Sequence, residues 1–212
     1  MGAVKRIVIV AGAPWRWEPR FVTLVSAADE VLAADGGANH LARIGVRPAA
    51  VVGDLDSIRD SVRRWVGEER IVHRPDQETT DLDKTLACAF DERSAGAVTV
   101  LAATGGRLDH ALANLGLLGR YLGRGAVELR DELARIVPVA GEASFATRPG
   151  QAVSLVSPGG CEWVWTEGLR WPLAGRRLDP ASTNGVSNRA DADRITVRAE
   201  GGTLLVFLFE PD

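Results

Sequence analysis

Residues 31 to 58 read VLAADGGANHLARIGVRPAAVVGDLDSI, and this stretch decides the fold class. It opens with a short apolar strand at Val31 to Ala34, turns through acidic and glycine residues into a segment of helical spacing, and ends in a second apolar strand at Ala49 to Val52. A helix between two strands carries the chain back to the edge where the first strand began, so the two strands run parallel. The stretch therefore predicts an α/β fold.

The same alternation continues on both sides, from the start of the chain to about residue 138. Short apolar runs, typical of strands buried in a parallel sheet, alternate with segments of helical spacing. The predicted strands are Arg6 to Ala11, Val31 to Ala34, Ala49 to Val52, Arg70 to Val72, Val98 to Ala103, Val127 to Leu129 and Arg135 to Val139. The predicted helices are Pro19 to Ala28, Ala38 to Ile44, Ile58 to Val66, Leu82 to Phe90 and Ala111 to Leu122, the last with a leucine stripe at Leu108, Leu112, Leu115, Leu118 and Leu122.

After residue 140 the pattern changes to strands of alternating character, separated by turns such as SPGG and EGG. This pattern is typical of a small antiparallel β-sandwich or barrel, and we predict the sandwich. The predicted strands are Glu142 to Thr147, Gln151 to Val156, Glu162 to Thr166, Arg194 to Ala199 and Thr203 to Phe209. We place the boundary near Ala140 and Gly141, with a mostly parallel sheet flanked by helices in 1–140 and the sandwich in 141–212.

Composition excludes several classes of protein. The chain has 212 residues, 46% of them hydrophobic, and a formal net charge of -3. Its interspersed charges form no basic stripe, so we expect no nucleic-acid partner. Cys88 and Cys161 stand singly, without zinc-site or disulfide spacing. The apolar run at Val4 to Ala11 is too short for a signal peptide or membrane span, so we expect a cytoplasmic protein without membrane contact.

Acidic and glycine-rich turns follow the second and third predicted strands. Ligands of open parallel sheets bind beyond the carboxyl ends of the strands. There the second strand leads into Asp35, Gly36, Gly37 and Asn39, where paired glycines could admit phosphate oxygens or simply make a tight turn.

The third strand delivers a pair of aspartates, Asp54 and Asp56. If the backbone is still extended there, both carboxylates point the same way and suit a magnesium ion. In the alternative, Asp56 or Ser57 caps the next helix and Asp54 is a solvated loop residue.

Two further strands end in similar turns. Asp81 and Lys84 lie at the start of a helix in RPDQETTDLDKTL. Asp81 suits either a helix cap or a metal ligand, and the ammonium group of Lys84 suits a contact with phosphate oxygens. The sequence GGRLDHALANL follows the strand at Val98 to Ala103. Its turn residues Gly105 and Gly106 precede Arg107, whose guanidinium can donate hydrogen bonds to phosphate oxygens. Asp109 follows at the start of a helix.

These turns gather glycines, two cations and several aspartates along one edge of one sheet. The sequence has neither a Walker A loop nor a G-x-G-x-x-G motif. The pattern therefore indicates Mg²⁺-assisted phosphate chemistry outside those two nucleotide-binding classes.

The motifs ADGGANHL, VVGDLDSI, TTDLDKTL and GGRLDHALANL, followed by GLRWPL and GVSN, resemble those of the thiamine pyrophosphokinases in order and spacing. The resemblance covers nearly the whole chain. It implies an α/β catalytic domain, a β-sandwich that binds thiamine, and a homodimer with active sites between subunits. It also implies transfer of pyrophosphate from ATP to the thiamine hydroxyl, giving thiamine diphosphate and AMP.

The resemblance assigns roles to individual residues. It implies Mg²⁺ ligation by Asp54, Asp56 and Asp81, with Asp109 as a further catalytic residue. It implies nucleotide or phosphate contacts by Asp35, Gly36, Gly37, Asn39, Lys84, Gly105, Gly106 and Arg107. Thiamine contacts are expected from Ser187, Asn188 and an aromatic wall, for which Trp171 is the candidate.

Two other functions remain open from the sequence. The acceptor could be a hydroxymethyl pterin, because archaeal pterin pyrophosphokinases resemble the same catalytic domain; the C-terminal sandwich favours thiamine. The chain could also bind nucleotide or thiamine without catalysis, although so many mutually repelling carboxylates favour an enzyme. Trp171, Trp163 and Trp165 could equally be packing residues between the two sheets.

Overall fold

The computed structural model of the chain describes residues 4–210. It divides into two compact units. The first comprises the residues up to Leu117 together with Gly123–Asp131, and the second comprises Leu118–Leu122 and the residues from Glu132 onward. The predicted boundary at Ala140 and Gly141 falls inside a strand of the second unit.

The first unit is a parallel sheet with helices between its strands. The strand order is β4-β3-β2-β1-β5-β6, and each neighbouring pair is parallel. Its elements are β1 (Arg6–Val10), α1 (Pro19–Ser26), β2 (Glu30–Ala34), α2 (Gly37–Arg43), β3 (Ala50–Gly53), α3 (Asp60–Val66), β4 (Ile71–His73), α4 (Asp81–Ala87), β5 (Ala97–Leu101), α5 (Leu108–Leu118) and β6 (Ala126–Arg130).

Burial explains why the apolar runs become strands. Four of the five residues of β1 are buried, as are all four of β3, because central parallel strands are covered on both faces. Phe21 and Val25 of α1 and Leu41 of α2 pack with Val8 and Val10 of β1 in one apolar cluster. The predicted α/β fold is confirmed, and the carboxyl ends of the central strands lie at one edge.

The leucine stripe of α5 is only partly a core feature. Leu118 is fully buried, whereas Leu108 is 72% and Leu112 is 60% exposed. The stripe was therefore a poor guide to the first half of the helix, since helical spacing of leucines does not show which surface they face.

The second unit is antiparallel and rich in strands. Its strands are β7 (Ala134–Ala146), β8 (Ala152–Val156), β9 (Cys161–Glu167), β10 (Ala174–Leu178), β11 (Asn188–Arg189) and β12 (Arg194–Phe209). The long strand β12 pairs with β7 along its length, with β9 over Thr196–Glu200 and with β8 over Leu205–Leu208. The inward side chains form one apolar cluster that includes Phe145, Leu155 and Val197.

One predicted turn in this unit is wrong. The EGG segment lies inside β12, where the register shifts between Ala199 and Leu204. Gly201 has a positive φ of 70° at this irregularity. A glycine inside a strand can mark a bulge as well as a turn, and here the bulge forms. The sequence also gave no signal for β10 or β11.

No helix within residues 4–210 is both long and apolar enough to cross a membrane.

Candidate active site

Three carboxylates meet at the predicted edge of the parallel sheet. Asp35 follows β2, Asp54 follows β3, and Asp81 is the first residue of α4. One carboxylate oxygen from each lies within 4.8 Å of the others. The structure thus brings two of the three predicted metal ligands together, and adds Asp35 in place of Asp56.

Asp35 is almost completely buried and organises the loop that carries the other aspartates. Its Oδ2 accepts a hydrogen bond from the backbone N–H of Ser57 at 2.8 Å, and its Oδ1 accepts one from Ile58 at 3.1 Å. Burial raises the pKa of Asp35 to about 6, against the lowering effect of these two hydrogen bonds. Both carboxylate oxygens keep a second lone pair for a cation.

The side chains of Asp54 and Asp56 do not point the same way. The strand β3 ends at Gly53, and Leu55 between the aspartates has a positive φ of 69°, so the extended backbone on which the prediction depended is absent there. Asp54 joins the cluster, whereas Asp56 is exposed and accepts a hydrogen bond from the Ser57 hydroxyl at 2.7 Å.

The alternative of a helix cap also fails for this loop. The helix α3 begins at Asp60, after Arg59, and its N-cap makes no side-chain hydrogen bond. The loop between β3 and α3 therefore owes its shape to contacts with other elements.

Gln77 supports Asp54 from the loop after β4. Its Nε2 donates to Asp54 Oδ2 at 2.9 Å, and this hydrogen bond is the main cause of a lowered pKa at Asp54. Gln77 was missed by sequence reasoning, because a glutamine in an acidic loop has no spacing that links it to an aspartate 23 residues away.

Asp81 is free of the capping role that the sequence left open. Thr80 is the N-cap of α4, and its Oγ1 accepts from the backbone N–H of Asp83 at 3.3 Å. Burial and the nearby charge of Asp54, in that order, raise the pKa of Asp81, while Lys84 acts in the opposite direction. The raised pKa thus reflects mainly the burial of this carboxylate, and its repulsion from Asp54 adds to the effect.

Lys84 is buried beneath this cluster and its donors are engaged by the protein. Its Nζ donates to the carbonyl oxygens of Arg74 at 2.9 Å and Asp76 at 2.6 Å, and lies 3.4 Å from Asp81 Oδ1. An ammonium group has three N–H donors, so these three acceptors match its capacity. In this structure Lys84 anchors the loop before α4 and balances part of the charge of Asp81.

The glycines after β2 serve close packing. Neither Gly36 nor Gly37 has a positive φ. The residue of this turn with a positive φ is Asp35, at 37°. A Cβ on Gly37 would lie 1.9 Å from the carbonyl oxygen of Val10 in β1, so only glycine fits there.

Asn39 in the first turn of α2 ties the same two loops together. Its Nδ2 donates to the carbonyl oxygen of Ser57 at 2.9 Å, and its Oδ1 accepts from the backbone N–H of Arg59 at 3.0 Å. Asn39 and Asp35 together therefore hold the loop after β3 against the turn after β2 by hydrogen bonds.

The turn after β5 holds an exposed ion pair. Gly105 and Gly106 have positive φ, as the sequence indicated for a turn. Arg107 donates to Asp109 from Nη2 at 2.5 Å and from Nε at 3.2 Å. This contact is the main cause that lowers the pKa of Asp109 to about 2. The two residues neutralise each other, and Asp109 lies outside the three-carboxylate group.

In the second unit, the predicted thiamine residues lie on adjoining segments. Trp171 is 55% exposed, so packing between the sheets does not explain it; Trp163, at 50%, is likewise no core residue. Ser187 is exposed with a positive φ of 59°. Asn188 is 2% exposed, and its side-chain amide contacts the backbone of Trp171.

The cluster in the first unit fits a hard divalent cation. Carboxylate oxygens are the ligands that Mg²⁺ prefers, and one or two carboxylates plus water and phosphate oxygens complete its octahedral shell. Gly53 makes this approach possible: a Cβ there would lie 2.8 Å from Asp81 Oδ1 and 2.9 Å from Asp35 Cβ. The sequence pattern VVGD contained this glycine, but nothing in its spacing pointed to Asp81.

Comparison with known proteins agrees with this geometry. Residues 21–127 match the family model described as thiamin pyrophosphokinase, catalytic domain, and residues 142–204 match thiamin pyrophosphokinase, vitamin B1 binding domain. Thiamine pyrophosphokinase 2 of Oryza sativa subsp. japonica is 30% identical over 217 residues, which cover 88% of this chain and 80% of the relative. Thiamine pyrophosphokinase 1 of Arabidopsis thaliana is 29% identical with the same coverage.

Comparison of the fold with solved structures also finds thiamine pyrophosphokinases. The crystal structure of thiamine pyrophosphokinase from Bacillus subtilis superimposes with a TM-score of 0.82 and 25% identity, over 98% of this chain and all of that one. The motifs, the carboxylate cluster, both family models and this structural match agree, and the chain belongs to the thiamin pyrophosphokinase family.

Proposed function

We propose that this chain transfers the pyrophosphate group of ATP to the hydroxyl group of thiamine, giving thiamine diphosphate and AMP. The observation that carries the proposal is the meeting of Asp35, Asp54 and Asp81 within 4.8 Å at the carboxyl edge of the sheet. The family match supports the reaction, and the vitamin B1 binding domain matched by 142–204 supports thiamine as the acceptor.

Asp54 and Asp81 would hold Mg²⁺, with Asp35 as the third carboxylate of the site. When bound, the metal neutralises charge on the phosphate oxygens of the nucleotide. Asp35 has a second task, because its hydrogen bonds to Ser57 and Ile58 hold the loop of Asp54 in place. Asp56, exposed on that loop, remains a predicted ligand.

The reaction forms one bond and breaks one. The hydroxyl oxygen of thiamine attacks the β-phosphorus of ATP, the bond from that phosphorus to the oxygen bridging it to the α-phosphorus breaks, and AMP leaves with that oxygen. An aspartate of the cluster is the proposed acceptor of the hydroxyl proton. Arg107 and the turn at Gly105 and Gly106 are proposed phosphate contacts, for which Arg107 must exchange Asp109 for phosphate.

We further propose that Trp171 is the aromatic wall for thiamine and that the protein works as a cytoplasmic homodimer with active sites between subunits. The exposed indole supports the first assignment. Two variants test the homodimer, one altered at Asp54 and one at Trp171, both assayed at a thiamine concentration too low for the Trp171 variant to turn over on its own. If each site uses both subunits, a one-to-one mixture of the two variants should regain about a quarter of wild-type activity, because about half of the dimers are mixed and each mixed dimer has one complete site of two. No regain would contradict the arrangement.

The acceptor is tested by offering purified protein ATP and Mg²⁺ with either thiamine or a hydroxymethyl pterin. We expect turnover with thiamine. Turnover with the pterin alone would reject the thiamine assignment while keeping the pyrophosphate chemistry. Binding of either compound without turnover would favour the non-catalytic alternative.

A further inference from the structure

The segment that carries Trp171 is fixed on both sides of the exposed indole. Before it, Leu169 is buried and forms a β-bridge with Ala190, and the backbone N–H of Arg170 donates to the Arg189 carbonyl at 2.8 Å. After it, the backbone N–H of Leu173 donates to Thr166 Oγ1 at 2.8 Å, and Leu173 is buried. The buried side chains of Leu169 and Leu173 thus anchor the segment at both ends, and Trp171 lies between them with its indole exposed.

The side chain of Asn188 continues this pairing by one residue. Its Oδ1 accepts from the backbone N–H of Trp171 at 3.2 Å, and its Nδ2 donates to the Trp171 carbonyl at 2.7 Å. The carboxamide thus pairs with both backbone groups of one residue, as a neighbouring strand does. Oδ1 also accepts from the backbone N–H of Arg189 at 2.8 Å.

Local backbone geometry orients both Asn188 and Trp171. Ser187 has a positive φ of 59°, and its N–H donates to Ser154 Oγ at 3.0 Å, so the chain turns just before Asn188 and the carboxamide points inward. Pro172 restricts Trp171 to extended conformations and has no N–H of its own. Few arrangements of Trp171 are compatible with both restraints.

We propose that Asn188 is a positioning residue: it fixes the backbone of Trp171 so that the indole stands ready for the rings of thiamine, and it contacts no substrate itself. This inference rests on the proposed function of Trp171. The polar atoms of Asn188 are engaged by backbone groups, and the residue is 2% exposed. Direct recognition of thiamine by this pair of residues then falls to Ser187, which is exposed.

A double-mutant cycle tests the inference. Asn188→Asp keeps the shape and the Oδ1 acceptor but replaces the donor to the Trp171 carbonyl with an oxygen. We expect the KM for thiamine to rise on the order of tenfold, which corresponds to one lost buried hydrogen bond, with the KM for ATP unchanged. In a Trp171→Ala background the same substitution should change the thiamine KM little.

The control is Asn184→Asp, which adds the same charge to an exposed residue of the same segment and should leave both KM values unchanged. An equal effect of Asn188→Asp in both backgrounds would overturn the inference, because a residue that contacts thiamine directly does not need the indole. Asn188→Ser removes both contacts without adding charge and replaces the aspartate variant if that variant does not fold.

Amide hydrogen exchange separates this inference from the proposed function. The Trp171 amide should exchange faster in Asn188→Asp than in wild type, whether or not the protein uses thiamine, and unchanged exchange would overturn the inference. A wild-type protein that turns over no thiamine would instead contradict the proposed function.

Discussion

Asp54 is the carboxylate that the structure leaves most available to a cation. It is half-buried after the end of β3, and its pKa is held below the usual range mainly by the hydrogen bond from Gln77. A carboxylate that stays ionised at neutral pH and faces two others has a clear use as a metal ligand.

Asp54→Asn should lower turnover by about a hundredfold or more with no loss of fold, because one anionic ligand of the cluster is removed. Circular dichroism and steady-state kinetics measure the two effects. Asp60→Asn, an exposed change in the first turn of α3, is the matched control and should keep full activity. An active Asp54→Asn enzyme would remove this residue from the metal site.

Lys84 should affect stability as well as activity. Lys84→Met leaves the carbonyl groups of Arg74 and Asp76 without their donor and Asp81 without its cation, which should cost about 2–4 kcal/mol in the free energy of unfolding. Urea unfolding gives the value, with the exposed Arg64→Met as a control that should change it little. Lost activity at unchanged stability would indicate a direct phosphate contact instead.

At the scale of elements, α2 can approach β1 only because Gly37 has no side chain. Gly37→Ala places a Cβ 1.9 Å from the Val10 carbonyl oxygen and should destabilise the protein by about 1–3 kcal/mol. Gly116→Ala in α5 is the contrasting variant. Its Cβ would meet no atom within 4 Å, so it should stabilise the helix by about 0.5–1 kcal/mol. Thermal unfolding of both variants checks the pair, and equal shifts of the same sign would contradict the packing argument.

The start of β2 is held by an acid-sensitive contact. Glu30 pairs with Lys5 at 2.6 Å and with Arg93 at 2.9 Å, and the hydrogen bond from Lys5 is the main cause of its lowered pKa. Since the folded pKa lies below the usual value of 4.5, this stability is present above pH 4.5 and is lost as pH falls through the folded pKa.

Glu30→Gln should therefore cost about 1 kcal/mol at pH 7, a modest value because the pair is partly solvated. Denaturant titrations of wild type and variant across pH 7 to 3 measure the difference, which should shrink below pH 4.5. A difference that is constant with pH would show that charge plays no part.

Sequence periodicity was sufficient for elements that bury a regular apolar pattern and insufficient where one residue changes direction. The parallel strands and the gathering of aspartates at one edge could be predicted, because strand ends of a parallel sheet share an edge. That Asp35 rather than Asp56 joins Asp54 and Asp81 could not be predicted. The positive φ at Leu55 could not, since leucine rarely adopts it and nothing local marks it. The burial of Lys84 depends on carbonyl groups brought in by a separate loop, and no spacing rule describes such contacts.

At the scale of the whole molecule, the residues proposed for the chemistry lie in both units. The carboxylate cluster belongs to the first unit, and Trp171 with Asn188 belongs to the second. The two family models likewise match one region in each, 21–127 and 142–204. A chain that retains both parts has the residues expected of a pyrophosphate-transferring enzyme rather than of a simple nucleotide binder.

The most direct test is the identity and ratio of the products formed from ATP, Mg²⁺ and thiamine. Phosphorus NMR or chromatography of the reaction should show AMP and thiamine diphosphate in equal amounts, with formation of both lost on chelation of the metal. Formation of ADP with thiamine monophosphate, or release of AMP without thiamine diphosphate, would contradict transfer of an intact pyrophosphate group to thiamine.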